Sequence, residues 1–348
     1  MINNQLVFCM GMAICLFSSN VIADHPTVAF GINGAGPINT ISANTLPSGT
    51  FAFGIQTEII DNDAFSAEKL ESFADSGLDG VHSVGQITNT SMLFSYGITD
   101  DLSISARLPY TKRKTIREAE HGNEEHEDEE LGHEDEELGH EENEIHNHGN
   151  SSGFGDLLLL GQYRILENDT AGVSINFGVK LPTGETHEKD NDGVRFETEL
   201  QSGSGSWDFL LGVAVSKKSG SFGYHANILY NKTTEGSQST EIGDALSYNA
   251  AITYRVGGDH VLHDHSHDNK IEWDFMLELN GEKRNKNKIS GHSEEHTGGN
   301  VIFLSPGVRA SLGQFGGFMS FGMPVVENQN GKQTDFDKRI VAGISFVF

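Results

Sequence analysis

Cysteine is almost absent from this chain, and the two it has are badly placed for chemistry. Cys9 and Cys15 both lie in the first 23 residues, which carry no charged side chain and hold the apolar run LVFCMGMAICLF, then VIA. An apolar core, small residues and then the polar DHPTV read as a secretory signal, residues 1–23, cleaved after Ala23. The run is too short to span a bilayer. Cys15 follows Ile14 inside the apolar core, which argues against a lipid-anchored cysteine. The mature chain then has no cysteine, which excludes a disulfide framework, a thiolate metal site and a cysteine nucleophile.

Long hydrophobic runs are also missing. Beyond the signal no stretch of 18 apolar residues remains, so no transmembrane helix is expected. Basic residues are few, 23 Lys+Arg against 50 Asp+Glu, and a formal net charge of -27 excludes a nucleic-acid partner.

What is present is unevenly spread. Residues 118–148 hold 15 acids, six histidines and no Lys or Arg, so without them the net charge is -12 (-27 + 15). Two identical units, HEDEELG at 126–132 and again at 133–139, run into a third that stops after HEE. Leu131, Leu138 and Ile145 are its only sizeable apolar residues, too few to bury a core, so residues 115–152 are expected to form a disordered His/Glu-rich loop.

Elsewhere the chain alternates with period two. In KIEWDFMLELN, Ile271, Trp273, Phe275, Leu277 and Leu279 face one way, and Glu272, Asp274, Met276, Glu278 and Asn280 the other. GVSINFGVKL repeats the pattern from Val173 to Leu181. Twelve such segments begin near Gly49, Ile87, Leu102, Gly153, Gly172, Gly205, Ser221, Asp244, Lys270, Asn300, Gly316 and Lys338. Short linkers (ITDD, ENDTA, KKSGS, LGQFG) alternate with long ones at 61–86, 115–152 and 185–204. This rhythm predicts an all-β fold, an antiparallel outer-membrane barrel of about 12 strands over residues 49–348, set in outer-membrane lipid. The last segment, RIVAGISFVF, places Ile340, Ala342, Ile344, Phe346 and Phe348 on one face. A terminal strand ending in Phe348 is the kind that barrel-assembly machinery recognises.

FGINGAGPINTISANTLPSGTFAFGI, VKLPTGE, QSGSGSWDFLLGVAVSK and GDALSYNAAITYRV resemble the outer-membrane proteins of the "MetA-pathway of phenol degradation" type, over about Phe30 to Phe348. The resemblance implies a small barrel regarded as a transporter for small, often apolar, compounds. It includes no catalytic signature, and the acidic repeat is not part of it.

Three histidine clusters carry the candidate chemistry, with 12 of the 16 histidines. The first is His121, His126, His133, His140, His146 and His148. The second, DHVLHDHSHD, supplies His260, His263, His265 and His267; the third, HSEEH, supplies His292 and His296. Neutral imidazole binds Zn, Cu and Ni, and carboxylates add charge and oxygen ligands. A flexible chain must be ordered to grip an ion, which favours several weak, exchangeable sites. No cofactor is required. A solvated acidic loop is the alternative, although it would need no histidine. Strand parity puts the first and third clusters outside the cell and the second in the periplasm. HSEEH matches the H-x-x-E-H spacing of some zinc peptidases, but those need both histidines on one helix face, and here they lie between strands.

The alternation also turns Arg107, Arg164, Lys180, Asp208, His225, Arg255, Glu272, Asp274, Glu278, Arg309 and Arg339 into the lumen. Salt-bridge networks or a charged solute path would both use them. Residues 24–48, too few for a gated plug domain, are expected as a small lumen plug. The reading is therefore a channel or transporter, not an enzyme, whose His/Glu-rich loops bind zinc or a similar metal ion near the pore mouth. The alternatives are a channel for small apolar or aromatic compounds with an incidental acidic loop, and a metal-buffering surface protein with a closed lumen.

Overall fold

The structure is a computed structural model and describes residues 36–78, 81–120, 144–256 and 270–348. The expected signal, residues 1–23, lies outside them. Twelve antiparallel strands follow one another round a single closed sheet. They are β1 (Phe51–Asp63), β2 (Ser83–Thr99), β3 (Leu102–Glu120), β4 (Glu144–Phe154 and Leu157–Glu167), β5 (Ala171–Leu181) and β6 (Asp208–Ser219). Then come β7 (Phe222–Lys232), β8 (Ala245–Val256), β9 (Glu272–Arg284), β10 (Gly299–Leu312), β11 (Phe315–Gln329) and β12 (Asp335–Val347). The two pieces of β4 both pair with β3 and part at Gly155 and Asp156. The ring closes because β1 pairs with both β2 and β12: Ile55 lies opposite Met92 on one side and Ile344 on the other.

The side-chain pattern is that of a barrel turned inside out. Along β9, Trp273, Phe275, Leu277 and Leu279 are exposed while Asp274, Met276, Glu278 and Asn280 are buried. An apolar outer face on every strand needs an apolar surrounding, which a bilayer supplies. Aromatic pairs gather near the rim of short turns: Phe51 stacks on Phe348, Phe222 meets Tyr254, and Phe315 meets Phe346. Such girdles mark the interface between lipid and water. No helix among the described residues is long and apolar enough to cross a membrane.

The strands run further than their alternation suggests. Residues 115–120 and 144–152, expected within the disordered loop, are paired strand instead, with Glu118 opposite His146 and Ala119 opposite Ile145. Register shifts between Arg113 and Arg117, and the left-handed backbone of Thr115 (φ 59°), put the pattern out of phase there. The linker 61–86 is not bare loop either. It holds an α-helix, α1 (Ala67–Ala74), whose N-cap Ser66 hydroxyl accepts from the Lys69 N–H at 3.3 Å. Its buried Leu70, Phe73 and Ala74 pack with Val81, Ala119 and Ile145, which fixes the helix to the β3–β4 hairpin.

Two segments fold into the ring. Near the short-turn rim, residues 38–46 cross the interior, and their backbone is satisfied by lumen side chains. The Ile38 and Asn39 N–H groups donate to Glu278 at 2.8 and 3.0 Å, Ile41 N–H to Asn227 Oδ1 at 2.9 Å, and Leu46 N–H to Ser103 Oγ at 2.7 Å. The chain leaves over Gly97, where a Cβ would sit 1.9 Å from the Pro47 carbonyl oxygen. Near the long-loop rim, the loop between β5 and β6 inserts Phe196 and Leu200 among Ile60, Ile87, Ile116, Val301, Phe303 and Phe336 of the inner wall. The alternation turns charged residues into the lumen; this apolar patch on the inner wall departs from that pattern and buries the apolar residues of the loop.

Candidate functional site

The sheet sorts the predicted residues into a lumen and two rims. In the lumen, Glu278 is fully buried and accepts from Ile38, Asn39 and the Thr40 hydroxyl (2.7 Å). Arg309 and Arg339 lie close enough for their charges to balance it. Arg309 also stacks over Phe318, and Arg339 over Phe303, donating to Asn280 Oδ1 at 2.8 Å. Arg255 grips Asp274 with two bonds of 2.8 and 2.7 Å. Lys180 lies between Asp208 (2.8 Å) and Asp156 (3.3 Å). These pairs lower the cost of burying charge beside apolar strands.

A cavity of about 90 Å³ lies above this layer, lined by Arg107, Arg113, Lys180, Asp208 and Arg284. Arg107 is buried and donates from Nε to Ser91 Oγ at 2.9 Å. His225 is only partly buried and shares a 2.9 Å hydrogen bond with Ser216. Arg164 and Glu272 sit nearer water than alternation alone implies. Arg164 ties the short-turn rim together through Asp101 (3.0 Å) and Glu167 (2.8 Å), and the exposed Glu272 reaches Arg255 at 3.2 Å.

The histidines divide differently. His121, His126, His133, His140, His260, His263, His265 and His267 lie outside the described residues. His292 is exposed on a two-residue strand, His292–Ser293, in a small sheet with Lys288–Ile289 and Thr240–Glu241. His296 Nδ1 accepts from the Lys332 N–H at 3.0 Å. No helix holds this pair, so the geometry of a zinc peptidase is not met. His146 and His148 stand on the hairpin from which the acidic repeat hangs, their rings stacked 6.3 Å apart.

His148 is the hinge of a cluster at the long-loop rim. Its Nε2 lies 3.3 Å from Glu118 Oε2 and its Nδ1 3.0 Å from Asp190 Oδ2. His82, on the linker after α1, reaches the same Glu118 oxygen through Nε2 at 3.1 Å. Glu197 and Glu199, flanking the turn that Phe196 and Leu200 anchor, bring carboxylate oxygens within 4.8 Å of each other and of a His82 ring nitrogen. Asn287 holds Glu199 with a 2.8 Å bond to Oε2. Burial works to discharge His82, but Glu118 as hydrogen-bond acceptor and charge, with Glu197 and Glu199, pushes it up to about 9. Burial likewise works to raise Asp190, yet His148 and the N–H groups of Val194 and Asp192 hold it below its ordinary value.

Sequence reasoning names Glu118 only among acids and misses His82, Asp190, Glu197 and Glu199. His82 is a lone histidine, and the carboxylates belong to a loop more than 100 residues further on. The one faint signal is the E-T-E spacing at 197–199 beside an apolar residue on each side.

A family model described as "Putative MetA-pathway of phenol degradation" matches residues 127–314. Among solved structures, the COG4313 outer membrane channel from Pseudomonas putida F1 is similar with a TM-score of 0.53 and 17% identity, covering 88% of this chain and 98% of that one. The NanC porin is similar at a TM-score of 0.42 and 8% identity, over 84% of this chain and 98% of its own. LpxR from Salmonella typhimurium is similar at 0.42 and 11%, over 86% and 100%. No curated protein matches the chain.

Proposed function

The chain belongs to the MetA-pathway of phenol degradation family, and from that premise we propose an outer-membrane channel whose outer mouth collects divalent transition metal, zinc above all. The observation that carries the reading is His148 lying between Glu118 and Asp190 at the foot of the acidic repeat. A repeat dense in imidazole and carboxylate there raises the local concentration of cations that such ligands hold. Residues 38–46 act as a small plug below it, and β12 with Phe348 addresses the barrel to its assembly machinery.

A calorimetric Zn²⁺ titration of the refolded protein beside a version lacking residues 121–143 tests the proposal. Several ions per barrel, most of them lost with the deletion, are expected. Two matching titrations would sink it.

A second reading, passage of small apolar compounds, is favoured by the apolar patch of Ile60, Ile87, Val301, Phe303 and Phe336 on the inner wall. It expects uptake of a phenol-class solute into proteoliposomes that survives removal of residues 121–143.

A further inference from the structure

The most constrained metal-ligating group among the described residues is not in the repeat but beside it. We propose that His82, Glu197 and Glu199 form a preorganised zinc-class site at the long-loop rim, with Glu118 as the residue that orients the His82 ring.

Three observations carry this. The first is distance: one imidazole nitrogen and two carboxylate oxygens converge within 4.8 Å. Donor atoms round an ion bound at about 2.0–2.2 Å stand roughly 3.3–3.6 Å apart in a tetrahedron, so the three close on an ion by shifts of about an ångström. Glu197 is exposed and free to make that shift.

The second is orientation. A metal-binding histidine usually gives its other ring N–H to a carboxylate, which fixes the tautomer and sharpens the donor. Glu118 Oε2, 3.1 Å from His82 Nε2, is that carboxylate, and an ion that displaces the proton of the ring's other nitrogen meets a ring already held in place. Asn287 does the equivalent for Glu199.

The third is that every ligand rests on a packed element. His82 follows Val81, which is buried with α1 and Ala119; Glu197 and Glu199 alternate with Phe196, Thr198 and Leu200, all buried. Ligands held by their own supports need little ordering to bind. One imidazole with carboxylates selects borderline ions such as Zn²⁺ over Ca²⁺, which prefers an all-oxygen shell.

The site deepens the proposed metal-collecting mouth and rests on it only for the supply of ions, so the two can fail apart. The test uses the full barrel lacking residues 121–143, titrated with Zn²⁺ and separately with Ca²⁺, alone and with His82→Ala, Glu197→Gln/Glu199→Gln or Glu118→Gln. One zinc per barrel is expected to survive the deletion. It should weaken by more than about tenfold in the His82 and double-glutamine variants, and by about 10–100-fold in Glu118→Gln, as for an orienting partner. Co²⁺ in place of zinc should give visible d–d bands that His82→Ala abolishes. Heat-modifiable migration on gels checks that each variant is a folded barrel, and the solvent-facing Glu197 side keeps the double variant informative if His82→Ala misfolds. Retention of the ion with equal affinity in both ligand variants, no ion left after the deletion, or equal Ca²⁺ binding would each overturn the site. Failure of the deletion to remove any ion beyond that one would overturn the metal-collecting repeat and leave the site standing.

Discussion

Residues 38–46 and residues 196–201 both leave a rim and lie inside the barrel wall, but they are held there by different forces. The first segment buries polar backbone, and one carboxylate, Glu278, accepts two of its N–H groups and the Thr40 hydroxyl. The second buries Phe196 and Leu200 in a cluster of nine apolar side chains, with Arg113 donating to the Leu200 and Gln201 carbonyls at 3.3 and 3.1 Å. Charge-assisted bonds are strong, directional and concentrated on few atoms. Hydrophobic burial is spread over area and is lost piecemeal. A single substitution should therefore free the first segment and only loosen the second.

The largest effect is expected for Glu278→Ala. Removing one partner of a buried charge network costs about 3–5 kcal/mol, and Arg309 and Arg339 each lose one of their counter-charges. Single-channel conductance in planar bilayers should rise severalfold as residues 38–46 leave the lumen; unchanged conductance would mean that they do not limit it. Phe196→Ala should come next. A buried Phe→Ala change costs about 3–5 kcal/mol, shared here with the remaining cluster. Amide exchange across residues 186–204 should quicken, with conductance little altered. If both variants open the pore equally, the contrast between the two segments fails.

The smallest effect concerns pH at the loop between β7 and β8. Burial acts to raise the Asp244 carboxyl, but Thr233, Tyr230 and Lys232 hold it below its ordinary value by hydrogen bonds of 2.7–3.0 Å. A depressed folded pKa gives stability that is whole above the usual carboxylate range and is lost as pH falls through the folded value. Proteolytic nicking within 233–243 should thus increase only in acid below about pH 4, while Asp244→Asn should show the faster nicking already at neutral pH.

The barrel was open to reading because its lesson is local. Trp273, Phe275, Leu277 and Leu279 declare an outward face within seven residues, and eleven more segments repeat the statement. Where a local rule breaks, the reading breaks too. Thr115 and its neighbours lose the period at a bulge, and α1 is two turns of helix hidden in a linker. The rim cluster is legible only in three dimensions: His82 comes from the β1–β2 connection, Glu118 and His148 from the β3–β4 hairpin and Glu199 from the β5–β6 loop. The inner apolar patch hides for a related reason. Ile87 or Phe303 reads as one more strand residue until Phe196 arrives from another loop to cover it.

Closure has a kinetic consequence. The seam that completes the ring joins Ala52 to Val347 and is tied by reciprocal backbone bonds between Phe51 and Phe348, 2.7 and 2.8 Å long. Its partners stand at opposite ends of the sheet's own sequence, so the last pairing spans almost the whole strand order and carries the largest loop-closure entropy. Until it forms, β1 and β12 are raw edges open to foreign strands. Residues 38–46, just upstream of β1, then sit beside the open gap. The seam is thus a clock as well as a joint: whatever is to be enclosed has until its zipping to enter from the side.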